Sequence, residues 1–321
     1  MAFFFASEIN RRSLNEDSFC QMEIRMNDEA AVHAMVVADG MGGLSGGKYY
    51  SETAVNLWYQ ALLKTMMNEN FRGNPLARQI EILTDFSKDI YGKLGQKLYK
   101  NGLDAGMKGG TTLSTVIHFW DTVIVSNCGD SPVYRIKDGE IFLVSEIQNV
   151  AGKLLQEGKI TSGSVLYYQN KNRLLNYLGK REMEEAQCVI LPKSEVDALL
   201  IGSDGAFGDL TKEEIQDVVN QAEKPQQVIR NLFDRSREKG EEDNQTAIFY
   251  LLEKKRTEKK ESFLREQPIK DHLVGKPAGG KKPPRQATEN DCCYTRIPKK
   301  KKQSSLKEKL RKNGLVRGWW L

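Results

Sequence analysis

Short apolar runs separated by turn signals are the feature that most constrains the fold of this chain. Four of these runs, rich in β-branched residues and too short for helices, predict strands. They are 31–38, 113–120, 123–128 and 198–201. Two further runs, 133–136 and 141–144, flank Asp138-Gly139, which favours a type I′ hairpin turn because both central residues need positive φ. Hairpin-linked strands favour antiparallel sheets over a doubly wound parallel sheet.

Apolar residues at helical spacing predict two long helices early in the chain, over 48–66 and 76–100. Thr211 followed by Glu214 forms a capping box, which predicts that a helix starts there. A further helix is expected over 225–240. The chain therefore combines helices with antiparallel strands in an α+β fold.

The overall composition is typical of a soluble globular chain, with 39% hydrophobic and 28% charged residues among 321. The sequence contains no run of about 18 apolar residues, so it predicts no membrane span. The apolar start, 1–6, lacks the basic segment of a signal peptide and reads as the first strand. We therefore expect a cytoplasmic protein. Five scattered cysteines lack zinc-ligand spacing and only three histidines are present, so a histidine-based metal site or triad is poorly supported.

Charge divides the chain into an acidic domain, 1–253, and a basic tail, 254–321. The tail carries 21 Lys and Arg against 7 Asp and Glu, a net charge of +14, and the remainder has a net charge of −9. Low hydrophobicity with like charge predicts disorder in the tail, with a short basic helix over 304–321.

The tail's charge suits an acidic partner, nucleic acid phosphates or an anionic membrane surface, where Trp319-Trp320 would act as an interfacial anchor. A solvated tail with no specific partner is the alternative. Nucleic-acid binding is not expected as the main function, because the folded part is acidic. We expect a monomer that contacts a membrane at most peripherally, through this tail.

Aspartates beside glycine or asparagine lie at the ends of the apolar runs. They are Asp17, Asp39, Asp130, Asp204 and Asp243. A carboxylate at the end of a buried strand is costly unless it is paired, and a neighbouring glycine lets a backbone carbonyl approach a ligand. Oxygen ligands suit Mg²⁺ and Mn²⁺. Any one of these sites is typical of a plain turn. The five together make a divalent-metal carboxylate site an equally good interpretation.

Eight short motifs occur in a fixed order along residues 6–251. They are Arg12 with Asn15-Glu16-Asp17, the segment 37–43, Gly110-Thr111-Thr112, the segment 127–131, the segment 155–161, Asn172 with Leu178-Gly179, Ser203-Asp204-Gly205, and Asp243-Asn244. No single motif is specific, but the ordered set resembles the metal-dependent protein phosphatases of type 2C in their bacterial form.

The resemblance implies a four-layer αββα sandwich, in which two antiparallel β-sheets pack face to face and helices flank them. It also implies two Mn²⁺ or Mg²⁺ ions as cofactors. Asp39 would bridge the two ions, and Asp204 and Asp243 would complete the protein ligands of the first.

Glu16, Asp17 and the Gly40 carbonyl would serve the second ion, some of them through water. Arg12 would bind the substrate phosphate, for which its fork of donors is suited. A plain surface arginine is the alternative for this residue.

A third ion is in question. The family would hold it with Asp130, Asp204 and an aspartate four residues after Asp204, where this chain has Gly208. Asp209 would substitute only if the turn is one residue longer. The segment 146–179 resembles the family's flap beside the active site and is the expected place for substrate selectivity.

The resemblance thus implies a serine/threonine phosphatase that hydrolyses phosphoserine and phosphothreonine in phosphorylated proteins, such as the substrates of a bacterial serine/threonine kinase. A catalytically silent module on the same fold, binding phosphoproteins only, is the alternative. The presence of Asp39, Asp204 and Asp243 together favours catalysis. A phosphatase of small phosphate esters is a third interpretation.

Overall fold

The computed structural model describes residues 1–26, 30–42 and 46–252. The predicted tail, with its domain boundary after residue 253 and its helix over 304–321, lies outside the described residues. Among the described helices, none combines the length and the apolar character needed to cross a bilayer.

Twelve strands lie within the described residues, and they confirm the strands predicted from the sequence. The predicted hairpin is formed, and its Asp138 and Gly139 have φ values of 52° and 83°. The strands are β1 (Ala2–Glu8), β2 (Ser18–Arg25), β3 (Ala31–Ala38), β4 (Gly40–Met41), β5 (Gly110–Thr111), β6 (Leu113–Phe119), β7 (Thr122–Cys128), β8 (Val133–Lys137), β9 (Glu140–Leu143), β10 (Gln187–Pro192), β11 (Ala198–Gly202) and β12 (Gln245–Leu251).

The predicted helices are also confirmed. At the predicted capping box, the Thr211 hydroxyl accepts from the Glu214 amide while the Glu214 carboxylate accepts from the Thr211 amide. The described part of the chain contains α1 (Gly46–Met67), α2 (Glu69–Arg72), α3 (Leu76–Ala105), α4 (Val150–Gln156), α5 (Val165–Asn170), α6 (Asp204–Phe207), α7 (Lys212–Gln221) and α8 (Gln227–Glu238).

The strands form two five-stranded antiparallel sheets. Sheet A has the order β1-β12-β11-β8-β9, and sheet B has the order β10-β7-β6-β3-β2. A separate pair, β4 with β5, places Gly40 opposite Thr111. Every strand pairing is antiparallel, as the hairpin signals predicted.

Three apolar layers hold the sheets and helices together. Side chains such as Val37, Val125 and Ile201 fill the space between the sheets. Trp58 of α1 packs on the outer face of sheet B, and Phe233 of α8 packs on the outer face of sheet A. Burial of each large apolar side chain stabilises the fold by about 1.5–3 kcal/mol. The result is the four-layer αββα sandwich that the resemblance implied.

Candidate active site

The register of sheet B brings three of the predicted aspartates to one edge. Ser18 at the start of β2 pairs with Ala38 at the end of β3, so Asp17 and Asp39 lie side by side beyond that edge. Asp130 follows β7, whose end lies at the same edge because β7 and β3 both pair antiparallel with β6.

The register of sheet A brings the remaining two aspartates, Asp204 and Asp243, to one edge of that sheet. Gly202 at the end of β11 pairs with Ala247 near the start of β12. Asp204 therefore follows one strand, and Asp243 precedes the other, at a shared edge. The five aspartates are far apart in sequence but meet at one end of the sandwich.

A cavity of about 560 Å³ opens at this end. Seven of the nine predicted site residues line it. They are Arg12, Glu16, Asp39, Gly40, Asp130, Asp204 and Asp243. Of the other two, Asp17 lies beneath the cavity floor, and Asp209 does not line the cavity.

Asp17 is almost fully buried, with 3% of its surface exposed. Its Oδ2 accepts a hydrogen bond of 2.7 Å from the Ser203 hydroxyl, which joins the edges of the two sheets. Burial, together with repulsion from Asp204 and Asp243, raises the pKa of Asp17 to about 7, although hydrogen bonds from Ser203 and Thr246 oppose the rise.

Asp39 and Asp204 share a hydrogen bond between their carboxyl groups. Burial is the main cause that raises the pKa of both, and neighbouring carboxylates add to it. Asp130 accepts from Asn149 Nδ2 at 2.9 Å, and burial with repulsion from Asp204 raises its pKa to about 7. The cavity floor therefore concentrates carboxyl groups, and their raised pKa values show that little positive charge stabilises their ionised forms.

Arg12 supplies positive charge at the mouth of the cavity. Its Nη2 lies 2.6 Å from Asp243 Oδ2, and the charge of Asp243 is the main cause that raises the Arg12 pKa. Arg11, beside it, pairs with Glu242 at 2.7 Å and does not line the cavity. The two adjacent arginines thus have different surroundings, and Arg12 is the one directed to the site.

The donor set suits a hard divalent cation. Among the described residues, none forms a hydrogen bond with the buried Glu16 Oε1, as expected for an atom reserved for a ligand. A Cβ at Gly40 would lie 2.6 Å from the Glu16 carbonyl oxygen, so only glycine allows this close backbone packing. Within the described ranges, no three Asp, Glu, His or Cys side chains are grouped closely enough to form a ready-made metal site.

Three residues that support the site were not predicted as site residues. Asn244 accepts from the Glu16 amide at 2.8 Å and donates to the carbonyls of Ile9 and Leu14, which fastens the loop that carries Arg12. Ser203 and Asn149 bond to the aspartates described above. Asn244 and Ser203 each adjoin a predicted aspartate, which was a usable signal.

Asp209 lies in an ion pair with Lys171, at 2.9 Å between Oδ1 and Nζ. Lys171 was not predicted to take part in the site, and no local sequence signal marks it, because the two residues are 38 positions apart.

Comparisons with known proteins identify the family of this chain. The family model for protein phosphatase 2C matches residues 6–249. The serine/threonine phosphatase stp of Listeria welshimeri is 28% identical over 238 residues, which cover 74% of this chain and 90% of that protein. The protein phosphatase PhpP of Streptococcus pneumoniae is 25% identical over 205 residues, 61% of this chain and 78% of that one.

Solved structures share the fold. A serine/threonine phosphatase of S. agalactiae superposes with a TM-score of 0.64 at 24% identity, covering 78% of this chain and 99% of that one. Stp1 of Staphylococcus aureus gives a TM-score of 0.64 at 22% identity, with 78% and 95% covered. The chain belongs to the protein phosphatase 2C family, in its bacterial serine/threonine phosphatase form.

Proposed function

We propose that this chain hydrolyses phosphoserine and phosphothreonine in proteins by attack of water, with two Mn²⁺ or Mg²⁺ ions as cofactors in the acidic cavity. One observation carries the proposal. Carboxyl groups from both sheets, those of Asp39, Asp130 and Asp204, converge on one cavity, where bound cations would stabilise their ionised forms against mutual repulsion.

The residues that would hold the ions are those at the cavity floor. Asp39 would bridge them, with Asp204 and Asp243 on one side. Bound ions would lower the pKa of a water molecule and offset negative charge on the phosphoryl oxygens.

On the other side, Glu16 and the Gly40 carbonyl would act, with Asp17 reaching an ion through water. The unpartnered Glu16 Oε1 supports this assignment. Asp17 lies beneath the floor and is already hydrogen-bonded to Ser203, which favours an indirect role.

Arg12 would bind the phosphate at the cavity mouth. A guanidinium group has five N–H donors, so Arg12 can keep one contact with Asp243 while others bind phosphate oxygens. The pairing with Asp243 orients the group before substrate arrives. Arg12 therefore positions the ester and stabilises charge on the transferred phosphoryl group.

Water is the nucleophile that suits this site best. Among the described residues that line the cavity, none is a cysteine or a histidine. Cys128, near the same edge, is fully buried, and burial raises the pKa of its thiol to about 12, so it stays protonated. A covalent thiol intermediate is therefore not expected.

The test is release of phosphate from a phosphothreonine peptide and from p-nitrophenyl phosphate, measured with Mn²⁺, Mg²⁺ or EDTA. We expect turnover of the peptide with a divalent metal and its loss in EDTA. Folded protein that releases no phosphate with either metal would support the silent binding module instead. Turnover of the small ester alone would support a small-molecule phosphatase.

The basic segment 254–321 has a separate role in this proposal. Its net charge of +14 and terminal Trp319-Trp320 suit contact with an anionic membrane surface, worth about 1 kcal/mol per basic residue near the surface. Co-sedimentation of the full chain with phosphatidylserine vesicles, but not with neutral ones, would support it. Equal recovery with both vesicle types would contradict it.

A further inference from the structure

The flap, defined here as residues 146–179, is joined to the rest of the described fold at several polar points, among them hydrogen bonds between Gln148 and Gly129. Asn149 Nδ2 donates to Asp130 Oδ2 at 2.9 Å, at the back of the cavity. A β-bridge joins Thr111 to Leu178. A further connection is the ion pair of Lys171 with Asp209, which links the end of α5 to the loop between α6 and α7.

Lys171 is held firmly for a lysine. It is the C-cap residue of α5, and its amide donates to the Tyr167 carbonyl. About a quarter of its side chain is exposed, and its Nζ lies 5.5 Å from the centre of the Tyr168 ring, within cation–π range. These contacts restrict the lysine before it pairs with Asp209, so the pair loses less side-chain entropy than an ordinary surface pair.

Asp209 is directed toward the flap by the residue before it. Gly208 has φ of 53° and ψ of −135°, which side chains rarely adopt, and a Cβ there would lie 2.5 Å from the Ser236 hydroxyl. This turn carries Asp209 away from the cavity, which it does not line. Its carboxylate faces the Lys171 ammonium instead.

Lys171 interacts electrostatically with several acids on this side of the site. Burial acts to lower its pKa, but the hydrogen bond with Asp209 and the charges of Asp209 and Glu241 outweigh burial and raise it. The Lys171 charge also acts on Asp204 and Glu241, where it opposes the rise in pKa of both carboxyls. The ammonium therefore supplies positive charge between the flap and the cavity floor.

The residues that follow Lys171 line the catalytic cavity. They are Asn172 and Leu174, contributed by the flap. Lys171 thus lies one position before Asn172, a polar residue that lines the cavity.

We propose that Lys171 and Asp209 form a latch that holds the flap over the cavity and positions Asn172 for the peptide around the phosphorylated residue. Asp209 is in this view a positioning residue and not a ligand of a third metal ion. The latch rests on the proposed phosphatase function, whose substrate binding it refines.

Kinetics test the latch with a matched set of variants. Lys171→Met should raise KM for a phosphothreonine peptide by about threefold to tenfold, the effect of one partly buried charged pair, with kcat for p-nitrophenyl phosphate nearly unchanged. Lys171→Arg and the exchange Lys171→Asp with Asp209→Lys should recover most of the peptide KM. The control is Lys159→Met, because Lys159 is a flap lysine whose ion pair within the described residues is with nearby Glu157, at 2.7 Å.

Two further measurements do not depend on turnover. Hydrogen exchange of the amides in 165–178 should be faster in Lys171→Met and Asp209→Asn than in the wild type or Lys159→Met. Calorimetric titration should find the same number of Mn²⁺ ions bound by Asp209→Asn and by the wild type. Unchanged flap exchange in both latch variants, or one Mn²⁺ ion fewer in Asp209→Asn, would overturn the latch. Failure of the proposed function would instead appear in the wild type, as absence of turnover.

Discussion

Replacement of Asn244 by alanine should weaken both the fold and the site. The Asn244 side chain, 5% exposed, accepts from the Glu16 amide at 2.8 Å and donates to the carbonyls of Ile9 and Leu14 at 2.9 and 3.0 Å. Three hydrogen bonds at a net ~0.5–1.5 kcal/mol each give a loss of roughly 1.5–4.5 kcal/mol in the free energy of unfolding.

The substitution should also impair substrate binding, because the loop that Asn244 fastens carries Arg12 and Glu16. We expect a higher KM for a phosphothreonine peptide together with the lower stability. Asn244→Asp keeps the acceptor for the Glu16 amide but places a carboxylate against two carbonyls. It should therefore destabilise the fold at least as much as Asn244→Ala does.

Urea unfolding of the full chain, followed by intrinsic fluorescence, measures the stability change, and steady-state kinetics measure KM. The matched control is Asn220→Ala, since exposed Asn220 makes one hydrogen bond to the Gly139 carbonyl at 2.9 Å, far from the cavity edge. Asn244→Ala within ~0.5 kcal/mol of the wild type, with unchanged KM, would refute the role given to Asn244.

Three further predictions concern the phosphate contact, acid stability and the tail. Arg12→Ala should raise KM by about tenfold to a hundredfold, the effect of losing charge-assisted hydrogen bonds, with Arg11→Ala as the control; equal kinetics in the two variants would remove Arg12 from the phosphate site. Burial lowers the pKa of His118 to about 4, so its neutral form stabilises the fold above pH 6.5 and loses this contribution, up to about 3 kcal/mol, as the pH falls toward 4. Urea unfolding of wild type and His118→Gln across that range should show the difference in stability shrinking with acid, and a constant difference would contradict it. Deletion of residues 254–321 should leave turnover of p-nitrophenyl phosphate intact, and an unfolded product would show that the boundary after 253 is wrong.

Much of the fold could be predicted because its signals are local. The Asp138-Gly139 turn, the Thr211 capping box and the β-branched runs each depend on neighbouring residues. The edge strands β2 and β10 were not predicted, since their sequences, SFCQMEIR and QCVILP, mix polar and apolar residues on half-buried faces. Both strands lie at the edges of sheet B and lack one neighbour, so burial imposes a weaker pattern on them than on the central strands of that sheet.

For the site, too, the features with local sequence signals could be predicted and those that depend on long-range packing could not. The aspartates at strand ends could be found because each lies beside a strand in sequence, and strand register then brings them together. Arg12 and Asp243 also lie within recognisable motifs. The depth of Asp17 and the pairing of Lys171 with Asp209 depend on packing between segments far apart in the chain, which no local pattern encodes.

Asp39→Asn tests the central claim most directly, because Asp39 is the carboxylate proposed to bridge both metal ions. Asp104→Asn, which changes an exposed aspartate near the end of α3, is the matched control. Mn²⁺ titration calorimetry and release of phosphate from a phosphothreonine peptide should be measured on the same samples. We expect Asp39→Asn to stay folded, to bind Mn²⁺ far more weakly and to lose metal-dependent turnover, while Asp104→Asn behaves as the wild type. Wild-type turnover and Mn²⁺ binding in Asp39→Asn would contradict the two-metal site.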